Sequence, residues 1–315
     1  MIHRLDLCGW QVASALPLPD LLPWQGAAQT TPDIMIDLGP VPQSLHDPIY
    51  SGAILQIDRD GSSKSAVPGV ATFLVDPEGR RITIDTDLPP DSPAIRTFLL
   101  GIIFAIVCQR RQVVPLHASC IRLPTAAGDV AIAFTAPSGT GKSTLASAFM
   151  QQGYEVLADD ITVLAPQADG SVYALPTFPR IKLWRDAMDQ FDYPADQFER
   201  VREEMDKFSV PLQSGFIRQP LRLAALYHLT RVTDDRYAEV RRLQGLDATI
   251  RFTQAVYQSK TLMRVAQDQA AQLALAARTA AGIPAHWLLV QPSGLDRLEG
   301  LVKQIADQHR VPADT

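Results

Sequence analysis

The 315-residue sequence lacks the features that define several common protein classes. It has only three cysteines, Cys8, Cys108 and Cys120, which lie far apart and are odd in number. This pattern argues against a disulfide framework and a cysteine-rich zinc site, and it suits a reducing cytosol, so we expect a cytoplasmic protein. No run of lysines and arginines is long enough for a nucleic-acid or anionic-membrane surface, and the formal net charge is −5.

Long hydrophobic runs are also missing. The most apolar segment covers residues 98–108 and is bracketed by Arg96, Arg110 and Arg111. It is well short of the ~20 residues that a membrane-spanning helix needs. The N-terminus does not resemble a signal peptide, because charged residues come early and prolines follow. We therefore predict a soluble protein in which residues 92–112 form a buried helix.

One segment carries a strong functional signal. Residues 136–144 read Ala-Pro-Ser-Gly-Thr-Gly-Lys-Ser-Thr. An apolar run over 130–134 precedes them and predicts a buried strand. Leu145, Ala148 and Phe149 follow at helical spacing, and Gly153 is a suitable helix stop. Strand, glycine-containing loop and helix form the context that a phosphate-binding P-loop requires.

The predicted P-loop indicates where a nucleoside triphosphate and its metal ion would bind. Two glycines let the backbone bend so that successive N–H groups point at phosphate oxygens, and the helix adds its positive N-terminal end. Lys142 would reach the outer phosphates, and the Ser143 hydroxyl would ligate Mg²⁺. Ala136 stands where the usual pattern has its first glycine. The residues expected to bind nucleotide are Ser138, Gly139, Thr140, Gly141, Lys142, Ser143 and Thr144.

A pair of carboxylates follows the next expected strand. Residues 154–158 are apolar and lead directly into Asp159 and Asp160. An acidic pair is often an ordinary turn, but a carboxylate at a strand end beside a P-loop can hold Mg²⁺. Two adjacent carboxylates would allow a division of labour, one for the metal and one to accept a proton from an incoming hydroxyl.

The chain divides by pattern into two parts. Residues 1–111 read as a β-rich module, including a hairpin over 71–85, followed by the apolar helix. Residues 112–315 mix strands with helices, which predicts an α/β domain with a mixed sheet. His117 ends an apolar run and could lie close to the P-loop, although a lone histidine at a strand end is more often structural.

Several cations downstream of the acidic pair are candidates for phosphate contacts. Arg180, Lys182 and Arg185 come soon after Asp160, and they could meet phosphates or an acceptor, or form a solvated strand edge. Lys207 and Arg218 are further candidates. The sequence does not distinguish among them.

Three segments together resemble the kinase domain of HPr kinase/phosphorylase. They are His117 in Leu-His-Ala-Ser, the loop over residues 138–143, and Val-Leu-Ala-Asp-Asp at 156–160, which match that family in order and approximate spacing. The resemblance covers about residues 112–185. It implies a mixed-sheet α/β P-loop kinase domain, like that of phosphoenolpyruvate carboxykinase, behind a small β-rich N-terminal module.

The resemblance also implies a reaction and roles for residues. It implies ATP and Mg²⁺, with GTP conceivable because base recognition in the family is loose, and phosphoryl transfer to a serine hydroxyl of a peptide or small protein. By position, Lys142 binds phosphate, and Asp159 looks like the base that takes the acceptor proton, with His117 nearby to tune it. Ser143 and Asp160 look like the metal ligands. Members commonly form oligomers, so the resemblance is also compatible with a homo-oligomer.

The Glu-x-Arg-Gly-[Ile/Leu]-Gly signature of HPr kinase/phosphorylases is absent beyond the acidic pair. This absence argues against phosphorylase activity and against HPr as the substrate. The layout is similar to that of divergent serine kinases of the superfamily, some of which phosphorylate lasso-peptide precursors. We therefore expect a serine kinase acting on a precursor peptide. An HPr-type regulatory kinase and a P-loop ATPase or nucleotide-binding switch remain as alternatives.

Overall fold

The computed structural model describes residues 2–27, 30–201, 205–232, 238–266, 268–292 and 297–310. The chain forms two compact units. Unit 1 contains Met1–Pro115 and Tyr257–Ala276, and unit 2 contains Leu116–Val256 and Ala277–Thr315. The division expected from the sequence, at residues 111 and 112, is close to the first of these boundaries but does not include the return of 257–276 to unit 1.

Unit 1 is built on one large sheet. Its strands are β1 (His3–Leu7), β2 (Trp10–Ser14), β3 (Leu22–Pro23), β4 (Ile34–Leu38), β5 (Pro48–Ser51), β6 (Leu55–Asp58), β7 (Ser63–Val67), β8 (Ala71–Val75) and β9 (Arg81–Asp85). They lie in the order β3-β1-β2-β4-β9-β8-β7-β6-β5. The expected hairpin is present, because β8 and β9 pair antiparallel across the turn at Asp76–Gly79.

The predicted apolar helix of unit 1 is present with an interruption. It consists of α1 (Pro93–Phe98), a π-helical segment (Leu99–Ile103) and α2 (Phe104–Arg110). Gly101 breaks the regular geometry with φ −109° and ψ −106°. By length and composition the 18 residues Pro93–Arg110 could cross a membrane, but 61% of this stretch is buried inside the structure, as in the core helix of a globular unit.

The remaining elements run from residue 114 to residue 310. The strands are β10 (Val114–Leu116), β11 (Ala118–Thr125), β12 (Gly128–Thr135), β13 (Val156–Ala158), β14 (Thr162–Pro166), β15 (Val172–Leu175), β16 (Arg180–Trp184), β17 (Glu199–Arg200), β18 (Lys207–Pro211), β19 (Leu221–Val232), β20 (Glu239–Leu243) and β21 (Ala285–Pro292). The helices are α3 (Lys142–Gln151), α4 (Arg185–Gln190), α5 (Gly245–Ala255), α6 (Ser259–Val265), α7 (Gln269–Ala281) and α8 (Leu298–Arg310), with a 3₁₀ turn at Ala195–Gln197.

The expected mixed α/β architecture is confirmed in unit 2. Its main sheet runs β14-β15-β19-β12-β11-β13, and β21 joins it beside β19. The pairs β12/β19 and β19/β21 are parallel, whereas β11 is antiparallel to β12 and to β13. A second, three-stranded sheet has the order β16-β18-β17.

Aromatic packing fixes the P-loop helix α3 against the sheet. Phe149 of α3 stacks on Phe134 of β12 with ring centroids 5.4 Å apart, and Phe134 lies 5.7 Å from Tyr227 of β19. All three side chains are fully buried. Truncating such a ring to alanine typically costs about 3–5 kcal/mol of stability. The strand, loop and helix that carry the phosphate-binding residues therefore rest on a rigid core.

Candidate active site

Strand β12 and the segment after it have the strand, glycine-containing loop and helix that the predicted P-loop requires. The chain leaves the strand at Thr135, turns through Ala136–Gly141 and enters α3 at Lys142. Gly139 and Gly141 adopt φ of +79° and +106°, which side chains with a Cβ rarely tolerate. Ala136, at the position of the usual first glycine, packs against the core cluster of unit 2. The alanine is therefore compatible with the loop.

Lys142 is held inside the loop by contacts with its neighbours. Its Nζ donates to the Ala136 carbonyl at 2.8 Å and lies 3.0 Å from His117 Nε2. The residue is only 6% exposed. Burial lowers the pKa of the Lys142 ammonium to about 8. A phosphate bound beside Lys142 would raise this pKa again, because an anion stabilises an ammonium.

His117 is fixed between the P-loop lysine and the acidic pair. Its N–H donates to the Ala255 carbonyl at 2.8 Å, and its own carbonyl accepts from Thr135 Oγ1 at 2.9 Å. Since Lys142 donates to Nε2, the ring proton lies on Nδ1, which is 3.0 Å from the Asp160 carbonyl. Burial and the Lys142 charge lower the pKa of His117. The imidazole is therefore neutral near pH 7 and connects the two functional segments.

Asp159 lies behind the pocket and has both oxygens occupied. Its carboxylate accepts from Ser119 Oγ at 2.5 Å, from Ser143 Oγ at 2.8 Å and from the Lys182 backbone N–H at 2.7 Å. The residue is 2% exposed. Contact between a strand-end carboxylate and the P-loop serine is the arrangement that holds Mg²⁺ in P-loop enzymes.

Asp160 instead faces the pocket. Its φ of +70° turns the chain, and its Oδ2 lies 2.7 Å from Lys182 Nζ. Burial alone would raise the pKa of this carboxyl, but the charges of Lys182 and Lys207 lower it well below its usual range. Asp160 is therefore ionised at any pH near neutrality.

Most of the expected site residues meet at one small pocket with a volume of about 20 Å³. Its lining residues are His117, Ser138, Gly139, Gly141, Lys142, Ser143, Thr144, Asp160, Lys182, Trp184 and Lys207. Of the residues expected to bind nucleotide, Thr140 does not line it. Of the five candidate cations, Lys182 and Lys207 line the pocket, whereas Arg180, Arg185 and Arg218 do not.

The sequence did not single out three residues that the structure places at or beside the site. Ser119 donates a hydrogen bond to Asp159. The only sequence feature that pointed to Ser119 was its position in the Leu-His-Ala-Ser segment. Trp184 lines the pocket from the end of β16. Arg231 lies beside the P-loop, since its Nη2 is 3.0 Å from the position that a Cβ would take on Gly141. Arg231 lies near the end of β19, which pairs parallel with the P-loop strand β12, and this relation is visible only in the sheet topology.

The residues present suit a magnesium ion bound together with a nucleotide. Ser143, Asp159 and Asp160 offer hard oxygen ligands, which Mg²⁺ prefers. Among the described residues no group of three or more His, Cys, Asp or Glu side chains could hold a metal ion. Magnesium sites of this type usually use one or two carboxylates and complete their octahedron with phosphates and water.

Comparison with solved structures finds a likeness to the Hpr(Ser) kinase/phosphatase from Coxiella burnetii. The likeness covers 62% of this chain and 95% of that chain, with 14% sequence identity and a TM-score of 0.32. No protein-family model matches the sequence, and no curated protein matches it either. The family resemblance drawn from the motifs stays a prediction, and the roles of the site residues rest on the geometry of this chain.

Proposed function

We propose that this protein is an ATP- and Mg²⁺-dependent phosphotransferase that moves the γ-phosphoryl group to a serine hydroxyl of a peptide or small protein. One observation carries the proposal. The P-loop serine, Ser143, is bonded to a strand-end carboxylate, Asp159, while the adjacent carboxylate, Asp160, faces a pocket that also contains Lys142, Lys182 and Lys207. An ATPase needs the first arrangement, whereas a kinase also needs a group for the acceptor hydroxyl.

Ser143 and Asp159 would hold the metal. The ion supplies charge neutralisation between the β- and γ-phosphates. Ser143 lies at the start of α3, where the helix terminus also favours phosphate. Ser119 and the Lys182 N–H fix the Asp159 carboxylate in place from the other side. Such supporting contacts orient a ligand and tune its affinity for metal.

Asp160 would orient the acceptor hydroxyl and take its proton. The serine oxygen forms a bond to the γ-phosphorus, the bond from that phosphorus to the β,γ-bridging oxygen breaks, ADP leaves, and the serine proton passes to the Asp160 carboxylate. The low pKa of Asp160 makes it a weak base, so orientation is its larger contribution, as expected for a loose phosphoryl-transfer transition state. This assignment reverses the roles that the resemblance gave to Asp159 and Asp160, because Asp159 is bonded to Ser143, the expected metal ligand, whereas Asp160 is the carboxylate that lines the pocket.

The acceptor class rests on the sequence resemblance. A ribosomal precursor peptide of the lasso type is the first candidate, and the missing HPr kinase signature ranks HPr below it. The direct test is intact-mass spectrometry of candidate acceptors after incubation with the protein, ATP and Mg²⁺, with GTP in a parallel reaction. We expect the mass of one or more phosphates on a peptide serine. ATP consumption with no acceptor labelled would instead indicate an ATPase.

Two matched variants test the roles of the carboxylates. We expect Asp160→Asn to bind MgADP within a few-fold of the wild type but to lose about 10²–10⁴-fold in transfer rate. We expect Asp159→Asn to raise the Mg²⁺ concentration needed for half-maximal nucleotide binding by about 10–100-fold. Asp196→Asn, on the exposed surface of unit 2, is the control. If the two phenotypes were exchanged, the assignment implied by the resemblance would stand and ours would fall.

A further inference from the structure

A second cleft adjoins the phosphate pocket at the P-loop. It has a volume of about 550 Å³ and shares Gly139, Gly141, Thr144 and Trp184 with that pocket. Its other lining residues are Arg185, Asp186, Asp189, Asp206 and Arg231. The phosphate pocket has a volume of about 20 Å³ and is far too small for a whole nucleotide, whereas the cleft is within the usual size range of small-molecule sites.

The charges of the cleft differ in kind from those of the phosphate pocket. The phosphate pocket presents three lysines with a single carboxylate, whereas the cleft presents three carboxylates with two arginines. Carboxylates repel phosphate but accept hydrogen bonds from hydroxyl and amino groups. The cleft therefore suits a neutral group that is rich in hydrogen-bond donors.

Part of the cleft wall is held rigidly. Asp206 pairs with Arg185 at 3.4 Å and with Arg200 at 3.3 Å. The Arg185 guanidinium lies over the buried ring of Phe208, 4.7 Å from its centroid. A preorganised wall lowers the cost of ordering side chains when a ligand binds.

Two charged side chains of the cleft remain available. The Asp189 carboxylate is exposed, and it has no ion pair or hydrogen-bond partner among the residues that the structure describes. The same holds for the Arg231 guanidinium, which lies against Gly141 at the boundary of the two pockets. Indole and guanidinium planes bind nucleobases by stacking, and Trp184 and Arg231 supply both at this boundary.

We propose that this cleft binds the nucleoside of the nucleotide, with Asp189 accepting hydrogen bonds from ribose hydroxyls or a base amino group. The proposal rests on the proposed function, since it assumes that the phosphates occupy the P-loop. The two arginines make the cleft a poor site for a basic acceptor peptide, and the carboxylates make it a poor site for an acidic one. A nucleoside attached to the bound phosphates meets neither obstacle.

Binding of MgADP and of magnesium pyrophosphate tests the proposal, because the two ligands differ by the nucleoside. We expect the wild type to bind MgADP more tightly than pyrophosphate by calorimetry. Asp189→Asn, which keeps the shape but removes the charge, should weaken MgADP binding about tenfold and leave pyrophosphate binding unchanged. Asp196→Asn, an exposed substitution outside the cleft, is the matched control and should change neither.

The outcomes separate the two proposals. Equal wild-type affinity for MgADP and pyrophosphate would overturn the nucleoside site while leaving phosphate binding at the P-loop intact. An Asp189→Asn protein with unchanged MgADP affinity but a raised KM for a peptide acceptor would also overturn it and would assign the cleft to the acceptor. Failure of the wild type to bind either ligand would refute the proposed function itself, and the nucleoside site with it.

Discussion

A buried histidine pair should make the stability of unit 2 depend on pH. His228 of β19 pairs in register with Thr135, the last residue of the P-loop strand. Its Nε2 lies 3.4 Å from Nδ1 of His286 on β21, and His286 Nε2 lies 2.9 Å from the Ala280 carbonyl. Both histidines are 5% exposed. The pair therefore sits inside the sheet that carries the P-loop.

The sign and size of the effect follow from the pKa of His228. Burial, followed by the nearby His286 and Arg251, lowers this pKa to about 3. Because the unfolded chain binds the proton more readily than the folded one, stability is fully present above the unfolded pKa of ~6.5 and is lost as the pH falls toward 3. Linkage gives a loss of about 2 kcal/mol from His228 between pH 7.5 and pH 5.0. Burial also lowers the pKa of His286, so its contribution has the same sign.

Urea unfolding at pH 7.5 and pH 5.0, followed by tryptophan fluorescence, measures this loss. His228→Leu has no proton to gain and should show a pH-dependent loss smaller than that of the wild type by about 2 kcal/mol. Contributions from unit 1 cancel, because the two proteins differ only in unit 2. His46→Gln, at an exposed position, is the control and should follow the wild type. Equal pH dependence in the wild type and His228→Leu would refute the reasoning.

Three further predictions concern the site itself. Gly141→Ala should weaken pyrophosphate binding more than Gly139→Ala does, because the φ of Gly141, +106°, lies farther from the left-handed minimum at about +57° than the φ of Gly139, +79°. Equal affinities would contradict this. Ser119→Ala removes one of the hydrogen bonds to Asp159 and should lower the free energy of unfolding by about 1.5–3 kcal/mol and raise the Mg²⁺ requirement; an unchanged melting temperature and Mg²⁺ titration would argue against this role. Lys182→Met should weaken pyrophosphate binding about tenfold, whereas Lys182→Arg should keep most of it; a methionine variant with wild-type affinity would exclude a phosphate contact.

Local signals in the sequence predicted much of the fold. The turn at Asp76–Gly79 specified the hairpin β8/β9, which the sequence predicted over residues 71–85. The P-loop was predictable because its strand, glycines and helix lie within about 25 consecutive residues. In each case the residues that decide the structure are neighbours in the chain, so a short window contains the whole signal.

Features that depend on distant residues were not predictable in the same way. The alanine-rich segment 259–281 has the composition of one helix, but it forms two, α6 and α7, and the chain passes from unit 1 to unit 2 within α7. Helix α5 was not predicted. The apolar segment 113–121 has the pattern of one strand, but it is divided at His117, whose N–H bonds to Ala255 of α5. Such breaks in a helix or strand are set by contacts with residues far away in the sequence, so no local pattern predicts them.

The acidic pair shows how far the sequence could determine the chemistry. Asp159 and Asp160 come directly after β13, where the chain turns, and their carboxylates bind different partners. The sequence predicted that one carboxylate binds the metal and the other accepts the proton, but it could not show which of the two faces the pocket. That choice is set by Ser119, Ser143 and the Lys182 N–H, which converge on Asp159 from three separate elements, and by the positive φ of Asp160, which turns the next carboxylate toward Lys182. The roles of the two residues are thus a property of the assembled unit and not of the Asp-Asp motif.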